Sequence, residues 1–187
     1  MTVAEVHSPH RTFTAAWWLY QVIAVSAGSA LIALSAQLEI MLPFSPVPIT
    51  GQTFGVLLAA ALLGRVRGAA AVLAYLSEGM SGLPVFAGGA AGAGYIFGTT
   101  GGYLVGFLLA AFVVGALAER GWDRNVFLTA LCMALGCTAC FAVGLTWLSM
   151  YVSWERVLPL GLYPFIAGDL LKIGAAAALL PTLRRFV

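Results

Sequence analysis

Apolar residues run along this chain in long uncharged blocks, broken at short intervals by polar, glycine-rich or proline-rich stretches. The first block, residues 15–37, has 23 positions without a charge. At 1.5 Å per residue that is enough to cross a hydrocarbon core of about 30 Å. Pro43, Pro46 and Pro48 follow closely, so residues 39–50 cannot be continuous helix and are predicted as a loop. A second apolar block runs to Leu63 and a third to Ser77, parted by Gly64-Arg65-Val66-Arg67-Gly68. Each is short for a full crossing. The two arginines between them favour a water-facing turn joining two short crossings over a re-entrant hairpin.

Residues 79–102 carry nine of the chain's 22 glycines, threaded with Leu83, Phe86 and Tyr95. Non-helical backbone near a membrane is tolerated only where protein covers it or it lines a cavity, so a lid or cavity wall suits this stretch better than a loose connector. It holds neither a Walker lysine pattern nor a properly placed G-x-G-x-x-G, and glycine content alone is no sign of nucleotide. A fourth crossing is expected over 101–118, a charged turn over 119–124, and a fifth crossing over 125–149. A polar loop at 150–163, with Trp154, Glu155, Arg156 and Pro159, then precedes a sixth crossing from Pro164 to Pro181.

Composition agrees with the pattern: the chain is 61% hydrophobic and 9% charged, with mean hydropathy +0.99, far from a soluble domain. The expected fold is all-α, a single integral membrane domain of six transmembrane helices spanning residues 1–187. A net charge of +2, without basic runs interleaved with aromatics, excludes a nucleic-acid partner. The opening residues lead into an apolar block too long for a signal core, so the first helix is expected to stay. With both termini cytoplasmic, Arg11, Arg65, Arg67, Arg120, Arg124, Arg184 and Arg185 all lie inside and Arg156 alone lies outside, as the positive-inside rule requires. Residues 1–14 are then a cytoplasmic segment, and the loops at 39–50, 79–100 and 150–163 meet on the outer side.

The candidate chemistry centres on Asp169 and Lys172, one of the two aspartates and the sole lysine, three apart in an otherwise apolar helix. At that spacing both project from one face. A charge facing lipid costs several kcal/mol, so the pair must look into the bundle, either as a binding site or as an ion pair pinning helices. A carboxylate beside an ammonium suits a ligand with N–H donors next to a carbonyl or carboxylate. Tyr163, Tyr95, Tyr103, Phe86 and Trp147 are candidates for the apolar walls. No catalytic constellation accompanies them: His7 and His10 both precede the first helix, and no H-E-x-x-H or paired intramembrane carboxylates occur. Cys132, Cys137 and Cys140 match a C-x4-C-x2-C spacing but share one apolar run, where they read as small buried hydrophobes rather than cluster ligands. On the first helix, Ser29-x-x-x-Ala33 lies in a small-residue surface open to close approach by a partner helix or by this chain's own helices.

Four segments carry a family resemblance: Pro46-Val47-Pro48-Ile49-Thr50-x-Gln52-Thr53, Gly82-Leu83-Pro84-Val85-Phe86-Ala87-Gly88-Gly89, Gly98-x-Thr100-Gly101-Gly102-Tyr103-Leu104-x-Gly106 and Gly168-Asp169-Leu170-Leu171-Lys172. In this order the chain resembles the BioY family, biotin-specific S components of energy-coupling-factor vitamin transporters, over about residues 15–183. Thr99 stands where the family pattern more often has proline. The resemblance implies a membrane subunit that is not an enzyme and carries no cofactor. It captures biotin from outside and works with a transmembrane coupling subunit and paired cytoplasmic ATPases, or alone as a homo-oligomer. It assigns the ureido ring or carboxylate of biotin to Asp169 and Lys172, with Gln52, Phe86, Gly88, Gly89, Tyr95, Tyr103 and Tyr163 around the pocket. The alternative is a stand-alone secondary transporter of another small carboxylate or vitamin, against which the lack of a visible inverted repeat argues.

Overall fold

A computed structural model describes residues 14–184; His7, His10, Arg11 and Arg185 lie outside the described residues. The uncharged blocks become helices α1 (Ala15–Ala36), α2 (Gln52–Met80), α4 (Gly101–Ala118), α5 (Val126–Leu148) and α7 (Tyr163–Leu183). Shorter elements join them: α3 (Ala93–Ile96), α6 (Trp154–Gly161), and a two-stranded antiparallel hairpin of β1 (Glu39–Ile40) and β2 (Ile49–Thr50). Among the described residues, five helical stretches, with α6 and α7 taken together, are long and apolar enough to cross a membrane. Trp18, Leu34, Leu170 and Leu171 are among the large apolar side chains left exposed, as a lipid-facing surface requires.

The element α2 is two antiparallel arms. At Gly64 the backbone takes φ 80°, ψ 176°, a conformation essentially reserved for glycine, and the chain turns back on itself. A Cβ on Gly68 would lie 2.8 Å from the Ala60 Cα, and the Gln52 amide reaches the Tyr75 hydroxyl, contacts that a straight helix cannot make. Six long helices result. The break falls at one residue rather than across 64–68, because the Glu119 carboxylate accepts the Arg65 N–H at 2.9 Å and caps the second arm from its first residue.

The order of packing is α1 on α2, α2 on α4, α4 on α5, and α5 on α7, which places α4 at the centre. Lipid tails are as apolar as leucine, so dispersion and close approach rather than hydrophobic transfer hold these helices together. Gly106 lies against the Cys140 backbone and Gly115 against the Gly64–Arg65 backbone. The three cysteines are buried in α5. On α1 the small-residue face is used within the chain: Gly28 packs on Ala71, and the Ser29 hydroxyl donates to Glu78 at 2.6 Å.

The three loops meet at one end of the bundle, as the charge pattern requires. Ser45 donates to the Leu160 carbonyl at 2.7 Å, Thr99 to Pro46 at 3.3 Å, and Gln37 to Phe86 at 3.3 Å. Residues expected to be plain loop at 150–163 include α6, whose Val157 and Gly161 face inward. Arg65, Arg67, Glu119, Asp123 and Arg184 gather at the opposite end, where Arg184 pairs with Asp123 and also donates to the Ala61 carbonyl at 2.9 Å.

Candidate functional site

Beneath the loop layer, α4, α5, α7 and the start of α2 leave a narrow inner cavity of about 40 Å³. That is room for roughly three waters. The walls stand close together, so an organic ligand fills the space only by moving them apart.

The hairpin supplies the polar side. Pro48 and β2 deliver Thr50, Gln52 and Thr53 to the cavity, with the loop held by the Gly51 N–H on the Leu38 carbonyl at 2.8 Å. The Thr50 hydroxyl donates to Gln52 Oε1 at 3.1 Å, and Gln52 Nε2 donates to the buried Tyr75 hydroxyl. The opposite side is aromatic. Tyr103 stacks on Phe165 at 6.3 Å and meets Phe141 edge-on at 6.1 Å, while its hydroxyl donates to the Gly161 carbonyl at 2.9 Å. Gly144 makes room for the Tyr103 ring, where any Cβ would collide.

Tyr95 divides this cavity from a second one in the loop layer. The outer space is lined by Glu39, Met41, Gly88 and Thr99 and shares Pro48, Tyr95 and Thr100 with the inner one. It is more open and larger, about 400 Å³. The Tyr95 ring stacks on Phe86 at 5.0 Å, and Phe86, fully buried, fills the niche left by Gly79 beside Tyr75. Burial pushes the Tyr95 phenol above its ordinary value, the Glu39 charge adding to the shift and a Thr100 hydrogen bond opposing it. It therefore meets a ligand as a neutral hydroxyl.

Asp169 lies one turn further along α7 than Phe165, on the same buried face. Its Oδ1 accepts from Lys172 Nζ at 2.8 Å, while its Oδ2 is buried without a hydrogen-bond partner. The pair adjoins the cavity rather than forming its present wall.

Of the residues singled out in the sequence, Gln52, Tyr95 and Tyr103 line the inner cavity and Gly88 the outer one. Phe86 supports Tyr95 from behind, and Gly89 turns the loop at φ 74° with open space around it. Asp169 and Lys172 meet each other beside the cavity, whereas Tyr163 is 58% exposed at the start of α7. Trp147 ties the loop layer to α5 through the Gly98 carbonyl at 3.0 Å. Thr53, Thr100, Phe107, Phe141 and Phe165 also line the inner cavity. Thr53 and Thr100 sat inside the quoted segments; the phenylalanines carried no signal that sets them apart from other apolar helix positions.

An enclosed, largely apolar site under a layer of loops, at one end of an all-helical multi-pass membrane bundle, defines a small-molecule binding or transport protein. The chain belongs to the BioY family, whose model matches residues 8–187. It is 39% identical over 166 residues to the biotin transporter BioY of Thermotoga maritima, covering 88% of this chain and 96% of that one. Against the probable biotin transporter BioY of Pyrococcus horikoshii the identity is 36% over 156 residues, 83% and 91% of the two chains. The crystal structure of the S-component for biotin from an ECF-type ABC transporter matches with a TM-score of 0.83 at 30% identity, covering 92% of this chain and 94% of that one. These relatives are transporters, not enzymes.

Proposed function

We propose that this chain is the substrate-binding membrane subunit, or S component, for biotin uptake, and that the loop-end cavity receives the vitamin. The observation that carries the reading is the buried, unpartnered Oδ2 of Asp169, one helical turn from the cavity wall. A buried acceptor left unmet costs about 1–3 kcal/mol, more for a charged group, so the site has an unfilled demand for a donor. The ureido ring of biotin offers N–H groups beside a carbonyl. Asp169 accepts a ureido N–H, Lys172 meets the carbonyl or the carboxylate, and Gln52 and Thr50 add polar contacts. Tyr95, Tyr103, Phe141 and Phe165 enclose the apolar ring system and chain.

In this reading both arms of α2 cross, giving six crossings with the termini in the cytoplasm of a cell (inner) membrane and the cavity facing outward. The whole chain acts as one substrate-binding domain without a cofactor. It reaches ATP only through a transmembrane coupling subunit and paired cytoplasmic ATPases, unless it works as a homo-oligomer. Labelled biotin is expected to bind the purified chain in detergent one to one, with neither ATP nor an ion gradient. Absence of saturable binding at micromolar biotin removes the proposal.

A further inference from the structure

At the end of the bundle away from the loops, the reversal of α2, the turn after α4 and the last turn of α7 border another, open recess of about 330 Å³. Leu62, Leu63, Val66, Arg67, Glu119 and Arg184 line it. Two guanidiniums near it are already matched, Arg65 by Glu119 at 3.4 Å and Arg184 by Asp123. Among the described residues, Arg67 faces no carboxylate. Its Nε donates to Gln21 Oε1 at 2.7 Å, and its guanidinium lies 5.1 Å over the Tyr20 ring. This clamp orients the group while leaving both Nη atoms without a protein acceptor among the described residues.

A second unmatched donor sits beside it. Behind Arg67, Gln21 Nε2 is buried with no hydrogen-bond partner among the described residues, and the amide cannot be reversed without turning that nitrogen onto the Arg67 N–H. The two Nη groups of one planar guanidinium call for an acceptor with several oxygens, and a positively charged corner calls for an anion. The surroundings set its kind. Trp17, Trp18 and Tyr20 are exposed on α1 at this level, the aromatic band of a membrane interface. Leu62 and Val66 are exposed at the rim, giving an acyl chain an apolar path to the recess. Glu119, the one carboxylate in the lining, is occupied by the Arg65 N–H and guanidinium.

We propose that this recess binds the phosphodiester headgroup of an anionic membrane lipid, with the Arg67 Nη pair as donors. Bound there, the lipid ties α1 to the reversal of α2. The test uses the detergent-purified full chain, given phosphatidylglycerol or phosphatidylcholine and read by native mass spectrometry for retained lipid. The chain is expected to retain phosphatidylglycerol in preference, and Arg67→Gln to reduce that preference about fivefold, as expected for one surface arginine. Arg156→Gln, at the loop end, leaves it unchanged. Equal retention of the two lipids, or a preference that survives Arg67→Gln, overturns the proposal. Inorganic phosphate forms a separate arm: thermal protection by phosphate with no lipid preference identifies a free-anion site and overturns the lipid assignment. Biotin binding by the same samples shows that Arg67→Gln is folded, so failure here is distinct from failure of the biotin reading.

Discussion

The two ends of the bundle treat charge in opposite ways. At the basic end, Asp123 is 1% exposed and paired with Arg184, and Glu119 caps the Arg65 N–H while bridging its guanidinium. At the loop end, Asp169 is similarly buried yet has an oxygen with no partner, and the nearby cavity mixes threonine and glutamine groups with aromatic faces. A buried carboxylate that is fully matched holds helices together; one left half-matched destabilises the fold and persists where a ligand completes it. In the proposed reading, carboxylates of the same bundle serve anchoring at one end and reception at the other.

The largest expected effect tests whether the loop end is a packed lid rather than a loose cover. Phe86→Ala empties the niche at Gly79 and removes the stack under Tyr95. It should cost about 4 kcal/mol of stability, the usual range for a buried phenylalanine, and should weaken biotin binding. Unfolding in detergent with and without biotin measures both, and an unchanged melting point would sink the account of Phe86 as the anchor.

At the other end, Asp123→Ala leaves Arg184 without its carboxylate and is expected to cost about 3 kcal/mol. Biotin affinity should stay within about twofold, because the pair lies far from the cavity; a tenfold loss would erase the division of labour between the ends. A smaller effect is expected from Gly64→Ala, roughly 2 kcal/mol, since no other residue adopts φ 80°, ψ 176° easily and its Cβ would lie 2.6 Å from Glu119 Oε1. Thermal unfolding beside the parent chain reads it directly.

The legible parts of this molecule were those with local causes. Uncharged apolar blocks announced the long helices, and the lone lysine three residues from an aspartate announced the ion pair, because neither needs a distant neighbour to be noticed. The exact start of the second arm of α2 did need one: Arg65 is capped by a carboxylate 54 positions on. The helix α6 was hidden by Pro159 and its charged first turn, since only contact with the bundle shows that Val157 and Gly161 face inward. Tyr163 looked like a wall because it stands just before the helix that carries Asp169, yet the α7 register turns it outward. Phe141 and Phe165 were invisible for the opposite reason. In an apolar helix nothing distinguishes a phenylalanine facing a cavity from one facing its neighbours, and the aromatic wall exists only once α4, α5 and α7 are assembled.

The subtlest expected effect bears on the half-matched carboxylate itself. Asp169→Asn keeps the size of the side chain and an oxygen for Lys172 but removes the charge that a ligand N–H would meet. If Oδ2 exists to receive biotin, affinity should fall by at least about 1.5 kcal/mol, the loss expected for a charge-assisted hydrogen bond. The melting temperature of the unliganded chain should change little, because the variant also relieves an unmet buried charge. A structural ion pair behaves the other way round: binding would stay near the parent value while the unliganded chain melted earlier, since Lys172 would lose its countercharge in an apolar setting. Calorimetric titration and thermal unfolding on one preparation separate the two, and the second pattern would return Asp169 to the same anchoring role as Asp123.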